Sequence, residues 1–135
     1  MPVKLYGRDL RDVAVRARRA AERLREVCGL LVDHGGLVRL VQTRNLSKAP
    51  CSFWIGRRDW GRVEKAAAVL GSRIVGTFHS HVVSDAVPGP GDLRGAVSGH
   101  VMVIVTAWSG EVRAWRIRRR RAFRLKHEVV RATAL

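Results

Sequence analysis

Apolar residues recur at steps of three and four from Arg8 to Arg25: Leu10, Val13, Ala14, Ala17, Ala20, Ala21 and Leu24. That is the period of an amphipathic helix, here with an arginine-rich outer face. The period changes after Glu26. Gly29 to Val32 reads as a strand, His34-Gly35-Gly36 as a turn, and Leu37 to Thr43 as the returning strand of a hairpin. Asn45 to Pro50 is loop, and Ser52 to Ile55 is expected as a short third strand. Helical spacing resumes from Arg58 to Leu70. Trp60, Val63, Ala67 and Leu70 share one face, and Gly71 stands in the usual terminating position.

In the second half, Ile74 to His79 is β-branched and aromatic, a buried strand that ends on a histidine. Val82 to Gly91 holds two prolines and two glycines without a period, so it is a loop. Asp92 to Gly99 is expected as a short helix with Asp92 at or near its N-cap. Val101 to Trp108 is the most apolar run and predicts a central strand. Ser109-Gly110 turns the chain back into Val112 to Ile117, where Val112, Ala114 and Trp115 are interleaved with Arg113 and Arg116. Arg118 to Arg121 is a charge run, and Ala122 to Val130 fits either a strand or a helix. This order predicts a mixed α/β fold, a largely antiparallel sheet flanked by helices.

Length adds that the 135 residues form one domain, able to bury a core without disulfides or a structural metal. Cys28 and Cys51 are too few for a disulfide framework and lack paired zinc spacing. With no secretory h-region and no apolar run near ~18 residues, a reducing cytoplasm is expected and a membrane span is not. Charge alters the picture more. Lysine and arginine number 26 against 11 aspartates and glutamates, a net charge of +15. Eight basic residues fall between Lys4 and Arg25 and eight between Arg113 and Lys126. Eleven acids cannot pair 26 bases. The surplus either solvates an arginine-laced surface or meets an acidic protein or nucleic acid.

Candidate chemistry is concentrated in Phe78-His79-Ser80-His81 and the loop beyond it. Residues two apart on a strand point the same way, so His79 and His81 can face one ion. Asp92 can close the loop back as a third ligand. Two histidines and an aspartate leave a fourth tetrahedral position open, the arrangement of a catalytic zinc. Such an ion lowers the pKa of a coordinated water toward ~7 and polarises a substrate carbonyl. Hydrolysis also needs a general base, for which Glu26 is the candidate.

The segment Glu26-Val27-Cys28-Gly29-Leu30-Leu31, then an apolar strand ending in His79-Ser80-His81, then a Pro-rich loop closing on Asp92, resembles the JAMM (MPN-plus) zinc metallopeptidase family in its short prokaryotic type. The likeness covers roughly residues 10–117. It implies a cytidine-deaminase-like mixed sheet between helices. It implies His79, His81 and Asp92 as zinc ligands and Glu26 as the base that deprotonates water and passes the proton to the leaving amine. Family enzymes hydrolyse the bond after the C-terminal glycine of ubiquitin-like proteins, so an acidic ubiquitin-like or sulfur-carrier protein is the expected substrate. Two departures stand out. Gly89 replaces the family serine whose hydroxyl helps stabilise the oxyanion, a loss that typically costs ~100–1000-fold. Val82 stands where proline is common. Ser84 and Ser80 are candidates to compensate, although strand alternation should turn Ser80 away from the metal face. Gly89 keeps open an alternative: a weak or inactive scaffold that binds an acidic protein or nucleic acid.

The remaining polar and aromatic residues read more plainly. Cys28 is expected as buried packing and Cys51 as an inert loop thiol. His34 is a turn residue, and His100 and His127 are not assigned to the metal. Trp54, Trp60, Trp108 and Trp115 are expected in the core. The His-x-Glu and Pro-Cys-x-x-Cys of zinc deaminases and the helical His-Glu-x-x-His of other proteases are absent. A homodimer is left open.

Overall fold

The computed structural model describes residues 2–131. The elements are β1 (Val3–Tyr6), α1 (Gly7–Ala21), β2 (Cys28–His34), β3 (Leu37–Thr43), α2 (Arg57–Val69), β4 (Arg73–His81), α3 (Pro90–Arg94), β5 (Val101–Thr106), β6 (Val112–Arg118), β7 (Arg121–Leu125) and β8 (His127–Val130). The strands form one mixed sheet in the order β7-β6-β5-β4-β2-β3-β1-β8. β2 runs antiparallel to β3 and β4, and β6 antiparallel to β5 and β7. The β4–β5, β1–β3 and β1–β8 pairs are parallel. The expected mixed α/β class is what the chain adopts.

β7 and β8 stand at opposite ends of this order, yet only Lys126 separates them in the chain. The sheet therefore curls on itself, and α1 fills the curl. The helix buries Leu10, Val13 and Ala17 in a cluster with Leu31, Phe78, Val103 and Val105. On the other face, Val63 and Ala67 of α2 pack against Leu30 and Val32. A third cluster joins Ala86, Met102, Ile104 and Ile117. β5 shows why its sequence is continuously apolar. Val101, Val103 and Val105 face α1 while Met102 and Ile104 face the opposite layer, so both faces are buried.

Several expectations need correction. Ser52 to Ile55 is not a strand, because its backbone is satisfied by a loop instead of a ladder. Leu46 N–H donates to the Trp54 carbonyl at 2.9 Å, and the Asn45 side chain bridges Ser52 O at 2.9 Å and Trp54 N–H at 3.1 Å. The helix expected over 92–99 is the five-residue α3, and Asp92 is its third residue, with Gly89 at the N-cap. α1 ends at Ala21, four residues early. Trp54 and Trp108 are 64% and 63% exposed, while Trp60 and Trp115 are half-buried. β1 has no counterpart in the sequence pattern, and Ala122 to Val130 resolves into β7 and β8. Among the described residues no helix is long and apolar enough to cross a membrane.

Candidate metal centre

The register between β2 and β4 builds the site. Cys28 pairs with His79, and Ser80 N–H donates to the Val27 carbonyl at 2.9 Å. One further step brings Glu26 level with His81 at the open end of the sheet. Gly29 lets the strands close this tightly, since a Cβ there would lie 2.2 Å from the Val41 carbonyl oxygen and 2.5 Å from the Phe78 ring. The end of α1 aims the chain into this position. Leu24 takes a left-handed φ of 56°, with Leu24 N–H on Ala21 O and Arg25 N–H on Ala20 O. That is the hydrogen-bond pattern of a Schellman cap, with leucine where glycine is usual.

His79 and His81 point to the same side of β4, and α3 returns Asp92 to them. His79 Nε2, His81 Nε2 and Asp92 Oδ2 form a triangle with all three sides 3.1 Å. Zinc bonds of about 2.0–2.2 Å set tetrahedral ligand atoms roughly 3.3–3.6 Å apart, so these three fit such an ion with a small expansion. Among the described residues they form a group whose ligand atoms lie close enough together to hold one metal ion. His81 Nδ1 donates to the Asp85 carbonyl at 2.6 Å, with the Ser84 hydroxyl at 2.9 Å. A carbonyl only accepts, so the proton sits on Nδ1 and the Nε2 lone pair is free for a metal. Gly89 N–H donates to Asp92 Oδ2 at 2.9 Å and fixes the carboxylate. Burial alone would raise the Asp92 carboxyl. The two imidazoles and the Gly89 amide outweigh it and hold the group well below the usual carboxylate range. Burial lowers His79. For His81 burial pulls the same way, but Asp92 and the Asp85 carbonyl reverse it.

Glu26 is 6% exposed, and its Oε1 is buried with no hydrogen-bond partner among the described residues. Burial pushes its carboxyl up to about 7, with His81 pulling down and Asp92 pushing up. It lines a cleft of about 810 Å³ together with His81 and Asp92. A buried carboxyl that titrates near neutrality beside a ligand set is placed to exchange protons with whatever enters the cleft.

Other contacts carry no sequence signature. Phe53 stacks on the His79 ring with centroids 4.4 Å apart. Trp54, Val83 and Val87 give the cleft an exposed apolar rim. Ser80 does turn away from the metal face. Its Oγ accepts from Val27 N–H at 2.9 Å and so holds the residue next to Glu26. Asp59 is 2% exposed and carries two guanidiniums, those of Arg44 and Arg62, each at 3.3 Å. Cys28 is buried, and burial pushes its thiol up to about 11, which suits packing and excludes a nucleophile at neutral pH. Cys51 is exposed in its loop. His34, His100 and His127 lie outside the ligand set.

Residues 8–118 match the family described as prokaryotic homologs of the JAB domain. The chain belongs to this family. Its JAB domain is 30% identical over 91 residues to the desampylase of Pyrococcus furiosus, a match that spans 67% of this chain and 65% of that relative's length. A solution structure of a Desulfitobacterium hafniense protein is similar with a TM-score of 0.78 at 20% identity, covering 98% of this chain and 94% of the other. A structure described as JAMM, a metalloprotease-like zinc site in the proteasome and signalosome, is similar with a TM-score of 0.58 at 16% identity, covering 96% and 98%. Both structures share the JAB fold of this chain.

Proposed function

We propose that this JAB-domain protein is a zinc-dependent isopeptidase or peptidase that cleaves the bond after the C-terminal glycine of a ubiquitin-like or sulfur-carrier protein. The observation that carries this is the 3.1 Å triangle of His79, His81 and Asp92, set in an open cleft beside the unpaired Glu26 oxygen. The name desampylase borne by the Pyrococcus relative, and the zinc site described for the structural neighbour, support it. Free Cys28 and Cys51 accord with a reducing cytoplasm.

In this reading His79, His81 and Asp92 hold the ion. Bound zinc supplies Lewis acidity, polarising a carbonyl and making water easier to deprotonate. Glu26 takes the proton from the attacking water at its carboxylate and hands it to the leaving amine. Trp54, Val83 and Val87 cover the apolar part of an extended tail and exclude water from it. A groove lined by Arg16, Arg44 and Arg62 also reaches Glu26 and, with Arg94 in the cleft, favours approach of an acidic protein. Ser80 is buried against Val27 and does not replace the hydroxyl missing at Gly89, whereas Ser84 lines the cleft beside His81.

The Gly89 position motivates the second reading, an inactive scaffold. The test is cleavage of a ubiquitin-like fusion by zinc-loaded protein, with Glu26→Gln and chelated controls. Cleavage after the glycine that both controls abolish supports the enzyme. Turnover that survives in Glu26→Gln removes the base assignment. Stoichiometric zinc without cleavage at excess protein supports the scaffold.

A further inference from the structure

The surplus charge has a specific address that the metal centre does not use. β6 and β7 form a hairpin in which Arg118 pairs directly with Arg121, leaving Arg119 and Arg120 as the two-residue turn. Four consecutive arginines thus crown one hairpin, and all four are exposed. Among the described residues none of their side chains forms an ion pair, unlike Arg39, Arg44, Arg62 and Arg113.

Stability does not account for them. Arg119 and Arg120 both take left-handed backbone angles, with φ of 50° and 62°. A two-residue turn with positive φ at both positions strongly prefers Asn-Gly, because side chains such as arginine are strained there. Like charges directly opposite, as at Arg118 and Arg121, also oppose pairing. Charged edge strands deter aggregation, but Arg119 and Arg120 lie in the turn, outside any ladder an edge could extend. Two independent local costs are retained at one site, as at positions kept for a ligand.

The neighbouring side chains say which ligand. Strand alternation puts Phe123 on the same face as Arg121 and Arg118, opposite Arg116, and Phe123 is 52% exposed. On the other face the Arg124 guanidinium lies over the Trp115 ring at 5.7 Å. Guanidiniums beside an open aromatic ring are the elements of a single-strand binding surface, with phosphates on arginine and a base on the ring. The hairpin turn is also set back from the His79–His81–Asp92 cluster. Register through β5 sets Arg118 level with Ile74 of β4, seven residues before His81, or about 23 Å along the strands.

We infer that the β6–β7 hairpin binds single-stranded nucleic acid, with Arg118 to Arg121 on the phosphates and Phe123 beneath an unpaired base. The test is fluorescence anisotropy of the full chain with a labelled random-sequence single-stranded DNA 12-mer. Four phosphate contacts give a log–log salt slope of about −2.8, a roughly 50-fold weakening from 50 to 200 mM salt. Phe123→Ala should weaken the single strand about tenfold and leave a duplex unaffected. The variant R119N/R120G should raise the thermal midpoint, because it supplies the preferred turn, while weakening binding at least tenfold. R118Q/R121Q leaves the turn residues alone and should weaken binding as well. Unchanged affinity in either folded variant overturns the inference. So does polyglutamate displacing the DNA as well as unlabelled DNA does, which would assign the hairpin to an acidic protein.

Discussion

Replacing Glu26 by glutamine should stabilise the metal-free protein at alkaline pH even as it removes the proposed base. The side chain keeps its shape and loses its charge. Burial pushes the Glu26 carboxyl from 4.5 to about 7 in the folded chain. Below pH 4.5 the group is protonated in both folded and unfolded states, and its burial carries no charge penalty. Between 4.5 and 7 the unfolded chain releases the proton while the folded chain retains it, so stability falls as pH rises. Above 7 the loss is complete. The shift is about 2.5 pH units, and at 1.36 kcal/mol per unit the penalty is at most about 3 kcal/mol. The assay is denaturant unfolding of wild type and Glu26→Gln in chelator at several pH values from 4.5 to 8. The difference between the two proteins isolates this carboxyl, because the remaining titratable groups are common to both. Glu26→Gln should gain on wild type by about 2–3 kcal/mol across that range, or roughly 10 °C in Tm. Stability curves that stay parallel within about 0.5 kcal/mol would refute the claim that a buried, uncompensated charge is held at Glu26.

Three further outcomes follow from the same geometry. Gly89→Ser should fold normally, since a Cβ there meets only Asp92 Oδ2 at 3.7 Å; initial-rate assays on a ubiquitin-like fusion should show kcat raised by up to ~100–1000-fold. Ser80→Ala removes the acceptor for the buried Val27 N–H; it should cost about 1–3 kcal/mol by denaturant unfolding and lower kcat more than it changes KM. Native protein treated with iodoacetamide at pH 8 should carry one adduct by mass spectrometry, on exposed Cys51, because burial raises the Cys28 thiol to about 11.

Much of the sheet and the ligand set was legible because both rest on short periods. Alternation across residues 74–81 puts His79 and His81 on one side of β4, and the same alternation turns Ser80 the other way. The pairing of Glu26 with this strand end came from the family's order of motifs, and the β2–β4 register now gives its physical basis. What escaped depends on distant partners. Val3 to Tyr6 is a strand only because β3 and β8 flank it in parallel. Ser52 to Ile55 looked like a strand by residue type, but Asn45 captured its backbone groups. Trp54 falls in a segment that reads as a strand and so points to the core, yet it stands on the rim of the cleft. The stacking of Phe53 on His79 has no local pattern to betray it. The two basic segments also part company. The β6–β7 turn lies seven strand residues from the level of His81, whereas Arg16 of α1 lines a groove that reaches Glu26.

Anomalous scattering at the zinc edge, from crystals grown or soaked with zinc, tests the central claim most directly. One strong peak is expected about 2.0–2.2 Å from His79 Nε2, His81 Nε2 and Asp92 Oδ2, with the Glu26 carboxylate facing its open side. No peak after soaking, or a peak elsewhere with the 3.1 Å triangle intact, would contradict the assignment of these residues as the metal centre.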